Sequence, residues 1–231
     1  FISLIEAEKA KKQPLIIFRR SATEYVKADF FAEEVRRELM VRYGEEQLYK
    51  GGLSVRTTIA PRLQEIADWA LRKGLVSYDR RHGWRGPLLR INDNVRLERS
   101  SDWRSALANL ERPKGLFDWS LAVVLKTENQ AVQIGVEGGT KGQIPLQELR
   151  WARPWLEGQK RGAKVLHPQD VLQRGDVIAV ERVYTNPEGL NYPDDTFGLR
   201  QIPEINGAIV AMDPHTGRVL AMSGGYSFEL S

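Results

Sequence analysis

Cysteine is missing from all 231 residues, which removes disulfides, thiolate nucleophiles and thiolate-bound metals together. Histidine is nearly as scarce. His82, His167 and His215 are scattered, and none has a partner three or four residues away of the kind that builds a helical metal site. Neither a metal nor a cofactor is expected. Long apolar runs are lacking too, because none approaches the roughly 20 residues that a membrane-crossing helix requires. No secretory leader is visible after Phe1. The glycines of Gly135 to Gly142 do not form a phosphate loop, since no Gly-Lys-Ser/Thr follows and no clear helix begins there.

What remains is an ordinary folding composition, 42% apolar and 28% charged, in a chain long enough for one large domain or two small ones. The net charge of +4 is modest but uneven: between Arg80 and Lys114, nine Arg/Lys stand against four Asp/Glu. Five of the six tryptophans lie between Trp84 and Trp155. The middle of the chain is therefore basic and aromatic.

The most strongly patterned stretch is NGAIVAMDPHTGRVLAMSGGY, Asn206 to Tyr226. Ala208–Met212 and Val219–Met222 read as the arms of a hairpin closed by Asp213 to Gly217. Pro214 presets φ at the first corner, and Gly217 accepts the left-handed φ that completes it. Both arms are nearly all apolar, which predicts a hairpin buried on both faces within a larger sheet. Most of that sheet is not supplied by the rest of the sequence, so the chain reads as a piece of a longer polypeptide.

Earlier in the chain, Phe1 to Pro14 is rich in helix formers and is halted by Pro14. Asp29 is placed to cap a second helix carrying Phe31, Val35 and Leu39 on one face, with Gly44 as its terminator. LSVRTTI, Leu53 to Ile59, alternates as a half-buried strand. A helix then starts at Pro61, with Leu63, Ile66, Ala67, Ala70 and Leu71 as its apolar stripe and Gly74 at its end. YDRRHGWRGP, Tyr78 to Pro87, is polar and glycine-punctuated and reads as a loop. Ser101 to Leu110 fits a short helix.

From Leu116 onward the period becomes two. Trp119–Lys126, Ala131–Val136, Gly142–Pro145, Val177–Val183 and Phe197–Ile202 read as five short strands, with turns at Glu128-Asn129 and Gly138-Gly139. Five strands with one long intervening loop fit a small Greek-key barrel of the OB type. Val123, Leu125, Val132, Ile134, Ile144, Ile178 and Val180 are the candidates to fill its interior.

Catalytic chemistry is not visible. A serine acyltransferase needs its hydroxyl one helical turn from a lysine, yet no serine from Ser3 to Ser227 has Lys at the third following position. His215-Thr216-Gly217 is superficially like the Lys-Thr-Gly strand motif of such enzymes, but it sits in the hairpin turn and reads as structural. The one surface signal is the loop holding Trp151, Arg153, Trp155, Lys160, Arg161 and Lys164, where Arg150 and four of these cations face the lone Glu157. Tryptophan and arginine are enriched at interfaces, and a cationic loop suits an acidic protein face. Two other readings stand beside a docking role. The tryptophans can pack the barrel's outer face, or the loop can stack and pair with a single-stranded polyanion.

Several of these stretches resemble one family. GAIVAMDPHTGRVLAMSGGYSF is similar to the opening hairpin of the transpeptidase domain in class A penicillin-binding proteins, the bifunctional enzymes that build bacterial peptidoglycan. GGLSVRTTIAPRLQ matches that family's GGL-x-V-x-TT-x-x-P-x-LQ pattern, and FAEEVRREL resembles its interdomain linker. YDRRHGWRGP resembles the stretch leading into the inserted module of the Gram-negative members.

The resemblance implies an α+β chain in which an OB-like antiparallel barrel is inserted between linker elements and the first hairpin of a transpeptidase domain. The expected division is 1–50 as interdomain linker helices, 51–83 as the strand–helix start of the transpeptidase, 84–203 as the inserted module and 204–231 as the hairpin. It further implies a parent that is both a glycosyltransferase and a serine-type D-Ala-D-Ala transpeptidase. That parent would be periplasmic and held in the inner membrane by a segment outside this chain. The chain itself is expected to be inactive, because neither the Ser-x-x-Lys nor the acidic glycosyltransferase motifs occur in it. Expected partners are the two catalytic domains of the same chain, an outer-membrane lipoprotein activator and, through the parent, peptidoglycan precursors. Nucleic acid is not expected, although an OB-fold nucleic-acid-binding module is the competing reading. The flanking hairpin and linker helices argue against it, because that class does not require them.

Overall fold

A computed structural model describes residues 3–11, 26–91, 95–158 and 160–230. The N-terminal part is helical. α1 (Leu4–Lys11) and α2 (Asp29–Lys50) precede an extended stretch and α3 (Pro61–His82). The expected stop at Pro14 lies outside the described residues.

Asp29 is not the cap of α2. Ala28 takes that position and no side chain bonds the free amides, so the acid acts only through its charge in the first turn. Nor does the helix end at Gly44. It kinks there, at φ 76° and ψ 169°, and continues to Lys50, since glycine can absorb a break without terminating the run. α3 likewise passes through Gly74 and ends at Gly83, whose φ of +106° suits a residue without Cβ. The segment read as a loop from Tyr78 is therefore helical as far as His82.

Pro61 opens α3 as expected, where its missing amide costs nothing. Its predicted stripe is only partly right. Ala67 is buried and Leu75 joins it, but Leu63 and Ile66 are exposed. Residues 53–59 do not form a strand, and Leu53 and Val55 stand in solvent. Only the end of this stretch is engaged. The Ala60 amide donates to the Leu220 carbonyl at 2.8 Å, and the Thr58 hydroxyl reaches the Val219 carbonyl.

The module begins with β1 (Leu89–Arg90) and α4 (Ser100–Ala108). β2 (Ser120–Thr127), β3 (Ala131–Val136) and β4 (Lys141–Pro145) follow as an antiparallel meander. After the short α5 (Leu146–Leu149) come two brief strands, β5 (Trp155–Leu156) and β6 (Lys160–Arg161), then β7 (Asp176–Arg182) and β8 (Phe197–Arg200). β7 pairs β2 along one edge, while β1 and β8 share its other edge. All these pairings are antiparallel, and the ladder is not closed into a barrel. Between β4 and β8 runs a single parallel bridge, Gln143 to Thr196, with the Gln143 amide donating to the Asp195 carbonyl at 2.9 Å.

This sheet is covered on both faces. Ala122, Val124, Val132, Ile134, Ile144, Ile178, Val180 and Leu199 share the inner core with Trp84, Leu149 and Leu172. On the outer face Leu121, Val123, Val177 and Ala179 pack on Trp103 and Leu107 of α4, with Leu125 against them. Val123 and Leu125 are therefore not interior residues. Successive strand residues point to opposite faces, and β2 is apolar at every position from Leu121 to Leu125, so its own pattern does not declare which face is inside. Trp103 reaches the outer face only because Gly135 lies beneath it, where a Cβ would sit 2.9 Å from the indole carbons.

The chain then forms the expected hairpin, β9 (Ile209–Met212) and β10 (Val219–Ser223). Its turn is as predicted: Gly217 has φ +71°, and its amide donates to the Asp213 carbonyl at 2.9 Å. The burial is not. α2 and α3 cover one face of the hairpin, and Val210 and Met212 remain 50% and 56% exposed on the other. The buried Gln64 of α3 pairs with both backbone groups of Met222, accepting from its amide and donating to its carbonyl, each at 2.9 Å.

Candidate functional site

Three groups of side chains gather where the module meets α3 and the hairpin. The first is a polar lock. Asp79, in the last turns of α3, is buried and accepts two hydrogen bonds from the Arg85 guanidinium, at 2.8 and 3.1 Å. Gln201 donates to the same carboxylate at 2.7 Å and to the Gly83 carbonyl at 3.0 Å, while its own oxygen takes the Arg85 amide at 2.8 Å. Arg85 also donates to the Ile202 carbonyl at 2.7 Å and pairs with Glu204 at 3.2 Å. The segments by which the chain enters and leaves the module are thus fastened to each other and to α3. Each polar group in the lock has a partner, as burial demands. Removing one partner strands the rest.

The second group is the basic loop. Its root is tied to the inbound segment: the Trp84 amide donates to the Arg153 carbonyl at 2.7 Å, and the Trp155 amide to the Trp84 carbonyl at 2.9 Å. Arg153 turns back, its Nε donating to the Gly162 carbonyl at 2.9 Å, and so closes the base of the β5–β6 ribbon. Trp151 is half-buried against the inner core, edge-on to Trp84 with ring centroids 5.9 Å apart. These two side chains are committed to the fold. Trp155, Lys160, Arg161 and Lys164 are exposed, the indole by 46%, and Leu156 extends the apolar patch beside it. Below the ribbon Asp170 accepts the amides of His167 and Leu166, at 2.8 and 2.9 Å, which hold its carboxyl below the usual range.

The third group is aromatic and lines a cleft of about 1090 Å³ between α3 and the module. Phe117 stacks edge-on with Tyr226 at 5.4 Å, Trp119 lies 6.4 Å from the same ring, and the Arg72 guanidinium sits 3.8 Å over Phe117. Burial holds the Tyr226 hydroxyl neutral, well above the usual tyrosine range.

Chemistry of other kinds is not assembled. The three histidines stay apart, and among the described residues no cluster of His, Cys, Asp or Glu is spaced to hold a metal ion. No described helix is long and apolar enough to cross a membrane.

Comparison with known proteins bears on the whole chain. Residues 84–205 match the family model described as the penicillin-binding protein OB-like domain. Penicillin-binding protein 1A of Rickettsia typhi is 39% identical over the full chain, and that of Pseudomonas aeruginosa 31%. The chain covers 26% of each, so it spans about a quarter of the length of these curated relatives. The Escherichia coli protein of the same name is 31% identical over 88% of the chain, which covers 22% of it. The crystal structure of penicillin-binding protein 1A from Haemophilus influenzae superposes with a TM-score of 0.61 at 26% identity, covering all of this chain and 30% of that one.

Proposed function

The chain belongs to the class A penicillin-binding proteins, the family to which this OB-like domain is assigned, and on that premise we propose that it positions the catalytic domains of a bifunctional peptidoglycan synthase. In this reading residues 1–50 are the interdomain linker, 51–83 and 204–231 belong to the transpeptidase domain, and 84–203 are an OB-like module inserted into it. The five strands β2, β3, β4, β8 and β7 form the OB-like sheet of that module, which stays open apart from the single Gln143–Thr196 bridge. The whole enzyme polymerises lipid-linked disaccharide-peptide and cross-links stem peptides in the periplasm, anchored in the inner membrane outside this chain. Its catalytic serine is not among the serines from Ser3 to Ser227, none of which has the required lysine. The reported matches are all penicillin-binding proteins, and the nucleic-acid alternative finds no support among them.

The lock formed by Asp79, Arg85 and Gln201 carries the reading. A module meant to hold its neighbours at a fixed angle must be rigid where it joins them, and a buried, fully satisfied ion pair supplies that. Calorimetry tests it. The wild-type chain should melt in one cooperative transition, and Arg85→Ala should split it into separate transitions for module and scaffold. One unsplit transition at an unchanged temperature in the variant would remove the positioning role.

The exposed half of the basic loop is the proposed docking point for an outer-membrane lipoprotein activator. Trp155→Ala combined with Arg161→Ala should leave the melting temperature nearly unchanged and weaken activator binding by about 2 kcal/mol. A lowered melting temperature with unaltered affinity would mean that these residues only support the fold.

A further inference from the structure

Arg80 follows the lock residue Asp79 on α3 but serves none of the lock's contacts. Its guanidinium, which carries five donors, lies 4.5 Å over the Trp151 ring and lines the aromatic cleft. Among the described residues it makes no hydrogen bond and no ion pair. The nearby carboxylates are engaged elsewhere: Glu181 accepts from Arg200 at 2.6 Å, and Glu148 from the Tyr192 hydroxyl at 3.3 Å. The ring beneath Arg80 also has a buried indole N–H without an acceptor. Arg80 thus presents an unpaired cation to the cleft from half-buried surroundings, where lost hydration makes an unpaired charge costly, while the Trp151 indole beneath it stays outside the lining. Burial first, then the charge of Arg200, draws the Arg80 pKa down to about 10, with Glu148 and Glu181 opposing; the group is still charged at neutral pH. Ring surface from Trp69, Phe117, Trp119 and Tyr226 makes up part of the remaining lining, which also carries charges of both signs, among them Arg72, Arg200, Asp68 and Glu181.

We propose that this cleft is a binding site for a carboxylate-bearing ligand with a ring-shaped body, its acid seated on Arg80 and its ring laid against Trp119 and Tyr226. A guanidinium takes a carboxylate through two parallel N–H donors, and aromatic walls favour the flat face of a sugar or ring. The peptidoglycan reading above supplies a source, a glycan bearing acidic peptides; the inference rests on that reading for the ligand's origin but not for the site.

The test is titration of the 231-residue chain with muramyl dipeptide, which joins a sugar ring to a peptide carboxylate. The neutral trimer of N-acetylglucosamine and the acidic dipeptide alone serve as comparison probes. Heteronuclear NMR would follow the indole N–H signals of Trp119 and Trp69. The site predicts that muramyl dipeptide shifts these signals, that the neutral trimer binds more weakly, and that Arg80→Gln weakens the acidic probes about tenfold. Arg80→Lys, which keeps the charge but loses the fork, should recover only part of the affinity. Binding of the dipeptide alone as tightly as muramyl dipeptide would assign the site to the acid and overturn the role of the rings. Equal binding of neutral and acidic probes, or affinity unaltered in a folded Arg80→Gln chain, overturns the seat on Arg80. Absence of any shift at millimolar probe overturns the site altogether. None of these outcomes touches the calorimetric test of the lock, so failure of the cleft and failure of the positioning role can be told apart.

Discussion

The module's sheet and the β9–β10 hairpin are built from nearly the same residue types, yet they stand in opposite environments. Val123 and Ile134 have no solvent exposure, whereas Val210 and Met212 are each about half exposed. The difference lies in what covers them. The module has α4 with its Trp103 on one face, and Leu149 of α5 and the loop residue Leu172 on the other, so its apolar strands are satisfied internally. The hairpin has α2 and α3 on one face only. Apolar sequence therefore states a demand for cover, and the fold around it determines whether the cover is supplied.

The sharpest way to break this comparison is to remove cover from the module. Trp103→Ala should cost about 3–5 kcal/mol in urea unfolding, since it opens a cavity under a fully buried ring. Val210→Ala on the hairpin should cost less than about 0.5 kcal/mol. Similar costs would mean that the two sheets are covered alike. A smaller contrast concerns glycine. Gly135→Ala pushes a methyl group into the Trp103 ring and should cost about 1–3 kcal/mol by overpacking. Gly217→Val meets no neighbouring atom, so its cost of about 1–2 kcal/mol comes from the left-handed φ alone. The two can be separated by adding Trp103→Phe, which should relieve the first and leave the second. His215→Ala, on the same turn, should scarcely move the melting temperature.

The smallest effect is one of pH. Hydrogen bonds from the Thr216 hydroxyl, at 2.6 Å, and then from the His215 amide hold the Asp213 carboxyl below the usual range. With its folded pKa lowered, the turn's contribution is complete above the ordinary carboxylate pKa and is lost as pH falls through the lowered value. Amide exchange at Gly217 should accelerate on acidification relative to Gly135, beyond the intrinsic rate. Asp213→Asn should flatten that difference.

How much of this was legible depends on how local each cause is. Val132 and Ile134 were assigned to the inner face correctly because Gln133 and Gly135 separate them from other large apolar residues, whereas Ile178 and Val180 came out on that face although β7 is apolar at every position from Val177 to Val180. Val123 and Leu125 were misplaced because β2 is apolar throughout. The turn at Asp213 to Gly217 was readable from its own residues. The stretch from Leu53 to Ile59 was not, since alternation supplies the pattern of a strand but no partner to pair with. Within the basic loop, composition alone could not separate Trp155 and Arg161, which face solvent, from Trp151 and Arg153, which brace the fold. The lock was beyond reach for a similar reason: Asp79 and Gln201 are 122 positions apart.

Gln64 bears on how the hairpin sheet can grow. Its amide occupies both hydrogen-bonding groups of Met222, and the Ala60 amide takes the carbonyl of Leu220 two residues earlier. That side of β10 is therefore closed to strand addition by a side chain that imitates a strand. The outer edge of β9 has no strand partner among the described residues. Any further strand must join beside Val210 and Met212, which gives this sheet a single direction of growth and protects the helix-facing end from pairing with a stray chain.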